Sequence, residues 1–177
     1  LNLLRGFWQA QKAIRQIQPN VVLGMGGYIT FPGGMMASLL GKPLVVHTRD
    51  SAADTLRVLK EEGADAVGGV MHCFTEDWDV AKLALDLGFY LSFSGIVTFK
   101  NATIVKDVAQ KCTLNRILVE TDSPYLAQVS YSGKPNEPSY VRHVAEEIAR
   151  LRAMPIDAVH QATTDNFFSL FKHANRL

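Results

Sequence analysis

The chain has 177 residues, 47% of them hydrophobic and 20% charged, and a net charge of +1. That size suits one compact domain over residues 1–177 with a substantial core, and the composition excludes a disordered chain. The near-neutral balance excludes recognition of nucleic acid or an acidic membrane through a broad basic face, so a nucleic-acid substrate would be gripped at a local site.

Helix and strand signals alternate along the whole chain. Leu3, Leu4, Phe7, Trp8, Gln11, Ile14 and Ile17 recur at helical spacing over 1–18, and Pro19 ends that run. A short apolar strand over 21–23 enters a glycine-rich loop, Gly24 to Gly34, followed by a helix over 32–40 that stops at Gly41. The next strand is 44–47, and Ser51 is placed to cap a helix running to Gly63. Further strands are expected at 66–72, 89–94 and 116–122, with helices at 77–87, 101–111, 139–152 and 156–172. Strand runs such as Val67-Gly68-Gly69-Val70-Met71 and Ile117-Leu118-Val119 are continuously apolar, as parallel strands buried on both faces should be. The fold class is therefore α/β, with about five parallel strands alternating with helices.

Neither cysteine, Cys73 or Cys112, belongs to a Cys-x-x-Cys pair, which suggests reduced thiols and a cytoplasmic location. Cys73 reads as a small buried hydrophobe, because no base stands beside it at catalytic spacing. No apolar run approaches the length of a membrane span, and no signal peptide is expected before the first helix.

In parallel α/β proteins, chemistry gathers at the C-terminal ends of strands. There the sequence offers His47, His72, Ser94 and Asp122, and strand alternation places Asp122 on the face of Glu120 and Leu118. Two histidines and a carboxylate from separate strands suit one divalent metal ion (zinc, manganese or magnesium), with positions left for water or substrate. For a histidine at a strand end, the pattern alone also allows a merely hydrogen-bonded or exposed side chain. Arg49 and Asp50 read either as supports of a ligand or as a surface ion pair, and His143 and His160 as surface or packing residues.

Four segments carry a resemblance: His47-Thr48-Arg49-Asp50, His72-Cys73-Phe74-Thr75-Glu76, Glu120-Thr121-Asp122-Ser123-Pro124-Tyr125 and Thr163-Thr164-Asp165-Asn166-Phe167-Phe168. They resemble the TatD family of metal-dependent hydrolases and deoxyribonucleases over roughly residues 42–177, about the second half of an eight-stranded (β/α) barrel. The resemblance implies that His47, His72 and Asp122 are metal ligands, that Asp122 and Glu120 are catalytic with Glu120 a candidate base, and that nucleic acid is the substrate class. It also implies a His-x-His pair and a middle-strand glutamate as further ligands, which residues 1–46, with no His, Asp or Glu, do not supply. One ion without a two-metal clamp is the expectation, together with little or no catalytic activity. After Tyr125 the family's arginine is missing from Ala127-Gln128-Val129-Ser130-Tyr131-Ser132-Gly133-Lys134.

Residues 1–47, with Gly24-Met25-Gly26-Gly27-Tyr28 through Gly33-Gly34, resemble a fragment of the N-terminal domain of the glycosyltransferase MurG. That resemblance implies weak binding of a lipid-linked diphosphate through backbone N–H groups of Gly26, Gly27, Gly33 and Gly34. The simpler reading of these glycines is a tight turn that needs φ > 0. Together the two resemblances describe a chimera joined at the strand ending in His47, either recombined or engineered, whose property could be folding or self-association instead of catalysis.

Two architectures remain open: a flavodoxin-like open sheet, or half-barrels paired between two chains. A half-barrel has two open edges, and Val70, Leu91, Phe93 and Leu118 are expected to have lost their packing partners. Exposing several such side chains, worth about 1.5–3 kcal/mol each when buried, points to a homo-oligomer.

Overall fold

The computed structural model describes residues 2–24, 31–48, 51–129 and 133–175. Among these residues, a five-stranded parallel sheet is flanked by seven α-helices. The chain runs α1 (Asn2–Ile17), β1 (Val22–Gly24), α2 (Phe31–Leu39), β2 (Leu44–His47), α3 (Ala52–Glu61), β3 (Gly69–His72), α4 (Trp78–Asp86) and β4 (Tyr90–Phe93). It continues through α5 (Thr103–Lys111), β5 (Ile117–Val119), α6 (Val141–Leu151) and α7 (Ile156–Leu170). The strands lie side by side in chain order, β1-β2-β3-β4-β5. A flavodoxin-like sheet reverses direction once and so has a switch point. This sheet has no reversal and follows the winding of consecutive barrel units.

All expected helices and strands are present, but three strands are shorter than their apolar runs. Residues 64–66 form a 3-10 turn and Gly68 has a positive φ, so β3 begins only at Gly69. The run 89–94 narrows to Tyr90–Phe93, and 116–122 narrows to Ile117–Val119. Hydrophobicity marks what is buried, whereas ladder hydrogen bonds mark what is strand. Ser51 occupies the N-cap position of α3 without a side-chain hydrogen bond to the helix, unlike Asp77, whose carboxylate accepts from the Val80 N–H at 3.0 Å and caps α4.

Strand alternation divides the sheet into two faces. One face packs on the helices in a cluster that runs from Ile14 and Met36 through Leu44, Met71, Leu91, Phe93 and Ile117 to Val144 and Val159. The other carries Val70, Tyr90 and Leu118, packed with Leu170 and Phe171 at the end of α7. The expectation of orphaned apolar side chains fails here. Leu91 and Phe93 are wholly buried against helices, and Val70 and Leu118 are buried within the same chain by Leu170. Phe7 packs against the core, while Trp8 is exposed with Lys12 Nζ 5.3 Å from its ring centroid.

Asn166 explains part of the motif near the C-terminus. Its Nδ2 donates to the carbonyls of Leu114 (2.9 Å) and Ile117 (2.8 Å), which fastens α7 to the start of β5. Arg152 likewise donates to the carbonyls of Ala109, Gln110 and Cys112 at the end of α5, satisfying acceptors the helix leaves open.

Two glycines should respond in opposite ways to alanine. Gly34 lies inside α2 with nothing within 4 Å of an added Cβ, so Gly34→Ala should stabilise by about 0.5–1 kcal/mol. At Gly69 a Cβ would run into the Leu44 carbonyl oxygen and the Phe89 ring. Gly69→Ala should cost about 1–3 kcal/mol through forced backbone shifts. Urea unfolding of both variants beside the parent checks the pair of signs.

Candidate active site

The parallel register pairs His47 with His72 at the ends of β2 and β3, so both rings leave the same face. Their centroids are 5.4 Å apart. His72 is gripped from two sides: Nδ1 lies 2.7 Å from Glu120 Oε2, and Nε2 lies 3.3 Å from Asp122 Oδ1. Glu120 immediately follows β5, and its N–H donates to the Phe93 carbonyl at the end of β4.

The Glu120 carboxylate faces three donors. Besides the His72 ring, the Cys73 N–H donates to Oε1 at 2.6 Å and the Ser92 hydroxyl donates to Oε2 at 2.7 Å. The hydrogen bond to Glu120 raises the His72 pKa above its ordinary value; burial opposes this, and the charges of Glu120 and Asp122 add to it. His72, Glu120 and Asp122 keep 24%, 20% and 28% of their side-chain exposure, enough for a solute to reach the Asp122 side of the imidazole.

Asp122 reaches this position by a route that strand alternation does not describe. Alternation ends at Val119, and Asp122 has φ of 59°, in the left-handed region that few non-glycine residues occupy. Cys73, next to His72, is also left-handed with φ of 49°. Both backbone departures flank the same imidazole, a placement typical of functional sites. Asn136 holds the Asp122 loop, its Nδ2 donating at 2.6 Å to the carbonyls of both Thr121 and Tyr125. Ser92 and Asn136 went unnoticed in the sequence. The available clue to Ser92 was two serines at alternate positions in an apolar strand; Asn136 had no local signal.

The remaining expected residues lie elsewhere or outside the described residues. Ser94 is buried, with its Oγ 3.3 Å from Cys73 Sγ. Gly26, Gly27, Arg49 and Asp50 lie outside the described residues. Gly33 and Gly34 lie in α2 and line an apolar cleft of about 600 Å³ bounded by α2, α3, β1 and β2. Neither these two nor Gly24 has a positive φ, so the tight-turn reading does not apply to them. His143 pairs with Glu146 at 2.8 Å, and His160 is exposed. In the segment that departs from the family pattern, Gln128 is buried with its Nε2 donating to the Tyr140 carbonyl and its Oε1 unpartnered.

Two donors bound about 2.05 Å from one tetrahedral ion stand about 3.3 Å apart. The His72 Nε2 to Asp122 Oδ1 separation matches that spacing, and imidazole with carboxylate is chemically apt for a divalent ion. Among the described residues, no three His, Cys, Asp or Glu side chains form a ready-made cage. The pair fits a metal as a half-site, with His47 the nearest additional imidazole.

The family model described as TatD related DNase matches residues 35–172. The chain belongs to that family. It is 57% identical over 132 residues to the Escherichia coli K12 protein YcfH, named an uncharacterized metal-dependent hydrolase, covering 75% of this chain and 50% of that protein. The chain thus spans about half the length of the hydrolase relative it matches. The UDP-N-acetylglucosamine–N-acetylmuramyl-(pentapeptide) pyrophosphoryl-undecaprenol N-acetylglucosamine transferase of Dechloromonas aromatica is 63% identical over 67 residues, or 38% of this chain and 19% of that enzyme. The two shares sum to more than the whole chain, so the matches overlap. Among solved structures, the TatD homolog YjjV of Escherichia coli K12 superposes with a TM-score of 0.81 at 24% identity, covering 94% of this chain and 70% of that one. The TatD-type fold therefore extends over nearly the whole chain.

Burial pushes the thiols of both Cys73 and Cys112 up to about 11, so at neutral pH almost no thiolate forms. Iodoacetamide should leave both unlabelled in the folded protein and label both in urea. Rapid labelling of Cys73 in the native state would contradict the packing around His72.

Proposed function

We propose that this chain carries a partial TatD-type centre that binds one divalent metal ion and supports little or no phosphodiester hydrolysis. The observation that carries this reading is His72 held between Glu120 and Asp122, with Nε2 and Oδ1 at the spacing two donors to one ion require. His72 and Asp122 would hold the ion, with His47 as the third ligand after a side-chain adjustment. Such an ion supplies positive charge to a phosphoryl oxygen.

In this reading Glu120 is a positioning residue and not the base. Its two oxygens already meet the Cys73 N–H, the Ser92 hydroxyl and the His72 ring, so it has little capacity to take a proton from a nucleophile. Its work is to hold Nδ1 and turn Nε2 outward, as carboxylates behind ligating imidazoles do. Asp122, the half-buried carboxylate on the other side of His72, is the group that can touch the ion and a substrate. DNA is the substrate class by family, gripped at this site because the chain has no broad basic face.

Low activity follows from the donors available. Residues 1–46 contain no His, Asp or Glu, so they add no ligand to complete a two-metal clamp. We read residues 1–47 as a MurG-like segment joined to a TatD-like half-barrel at β2, forming one α/β domain over 1–177. The identity to the Dechloromonas transferase supports a MurG-like segment, and the continuous packing from Ile14 to Val159 supports a single domain. Pairing of half-barrels between copies has no support from exposed core residues, since Val70, Leu91, Phe93 and Leu118 are all buried within one chain.

Calorimetric titration with zinc or manganese should give one site, abolished in His72→Ala and weakened about 10–100-fold in Glu120→Gln with the metal-free fold intact by circular dichroism. Equal affinity in the parent and His72→Ala would remove this site. Nicking of plasmid DNA with manganese should stay at background. Turnover that is lost in Asp122→Asn would overturn the low-activity half of the reading and leave the metal half standing.

A further inference from the structure

The opposite end of the sheet from His72 carries a second cavity, of about 570 Å³. Residues just before β1, β2, β3 and β5 and around the start of β4 line it, and the end of α7 closes one side. Its charged lining is entirely basic: Lys42, Arg116 and Lys172, with His173 beside them and no Asp or Glu. Asp65 adjoins the lining residue Ala66 in sequence, but it is exposed and does not line the cavity. Among the described residues, none of the three cations pairs with a carboxylate.

Arg116 is the organised member of the set. Its Nη1 donates to the Gly88 carbonyl at 3.2 Å, and its guanidinium lies 4.9 Å from the Tyr90 ring centroid. The cation–π contact and the hydrogen bond fix the fork without neutralising it. A partly buried charge is normally paired, because desolvation must be offset. Here the field of Lys42 and Lys172 adds to that of Arg116, and a concave wall concentrates it. An anion entering the cavity would relieve this repulsion and could take two N–H donors from one guanidinium, the geometry that suits phosphate.

We propose that this cavity binds a phosphorylated small molecule, a phosphomonoester or diphosphate with an apolar body, through Arg116, Lys42 and Lys172. Its volume lies within the roughly 300–1,000 Å³ of small-ligand sites. Val21, Pro43 and Phe171 supply apolar wall for the body of such a ligand. A long polyanion such as duplex nucleic acid would need a basic track, which the net charge of +1 does not provide. The site is independent of the metal reading, because it lies at the other end of the strands.

The full chain would be titrated in metal-free buffer with inorganic phosphate, inorganic pyrophosphate and adenosine monophosphate, followed by calorimetry and thermal unfolding. Pyrophosphate and the nucleotide should bind saturably and raise the melting temperature, with affinity falling as salt rises. Arg116→Gln, Lys42→Gln and Lys172→Glu should each weaken binding about tenfold or more, and His72→Ala should leave it unchanged. If Arg116→Gln fails to fold after losing its contact with Gly88, the exposed Lys172→Glu variant carries the test. No saturable binding of any probe at millimolar concentration, unchanged binding in both lysine variants, or loss of binding in His72→Ala would overturn the proposal. Inorganic phosphate binding as tightly as the nucleotide would overturn the apolar-body part.

Discussion

One carboxylate organises the C-terminal ends of three strands. Glu120 follows β5, accepts the hydroxyl of Ser92 on β4, and takes both the Cys73 N–H and the His72 ring at the end of β3. Each of these donors is partly or wholly shielded from water, where an unmet hydrogen bond is costly. Removing the carboxylate would free an imidazole, a hydroxyl and a main-chain N–H together. The orientation of His72 therefore depends on that one side chain.

The same face of the sheet is layered from end to end. At the C-terminal ends lie His47, His72 and Glu120; in the middle Val70, Tyr90 and Leu118 pack with Leu170 and Phe171; beyond them is the basic cavity. Side chains of alternating strand positions fill the interior of (β/α) barrels in just such layers. The apolar middle layer keeps the two polar ends apart, so the acidic and basic clusters do not neutralise one another. Leu170 and Phe171 explain why this face stays covered within a single chain.

Much of this fold could be read from sequence, for a physical reason. Glycines at 41, 63 and 88 end helices or turns, and apolar runs give each strand a location; these are local signals. The extents of the strands were less legible because Val67 and Ile117 look equally apolar, while only the second is in the ladder. The candidate site was legible at His47, His72 and Asp122 through the family motifs and the strand-end rule. The hydrogen bonding of Glu120 was not, since its partners Ser92 and the Cys73 N–H lie 28 and 47 residues away. The left-handed backbone of Asp122 was equally hidden, and alternation gave its relation to Glu120 for a reason that does not hold past Val119.

The pairing of β1 with β2 shows how little side-chain information a sheet edge demands. The three register pairs Val22↔Leu44, Leu23↔Val45 and Gly24↔Val46 are joined through main-chain groups, which every non-proline residue possesses in the same form. A neighbouring strand of unrelated descent can therefore satisfy that edge without matched side chains, provided it is short and apolar on its helix-facing side. Sheet edges of this kind act as sequence-blind couplings. Discrimination between suitable and unsuitable edge strands falls to their helices, and here α1 and α2 seat Ile14 and Met36 in the core.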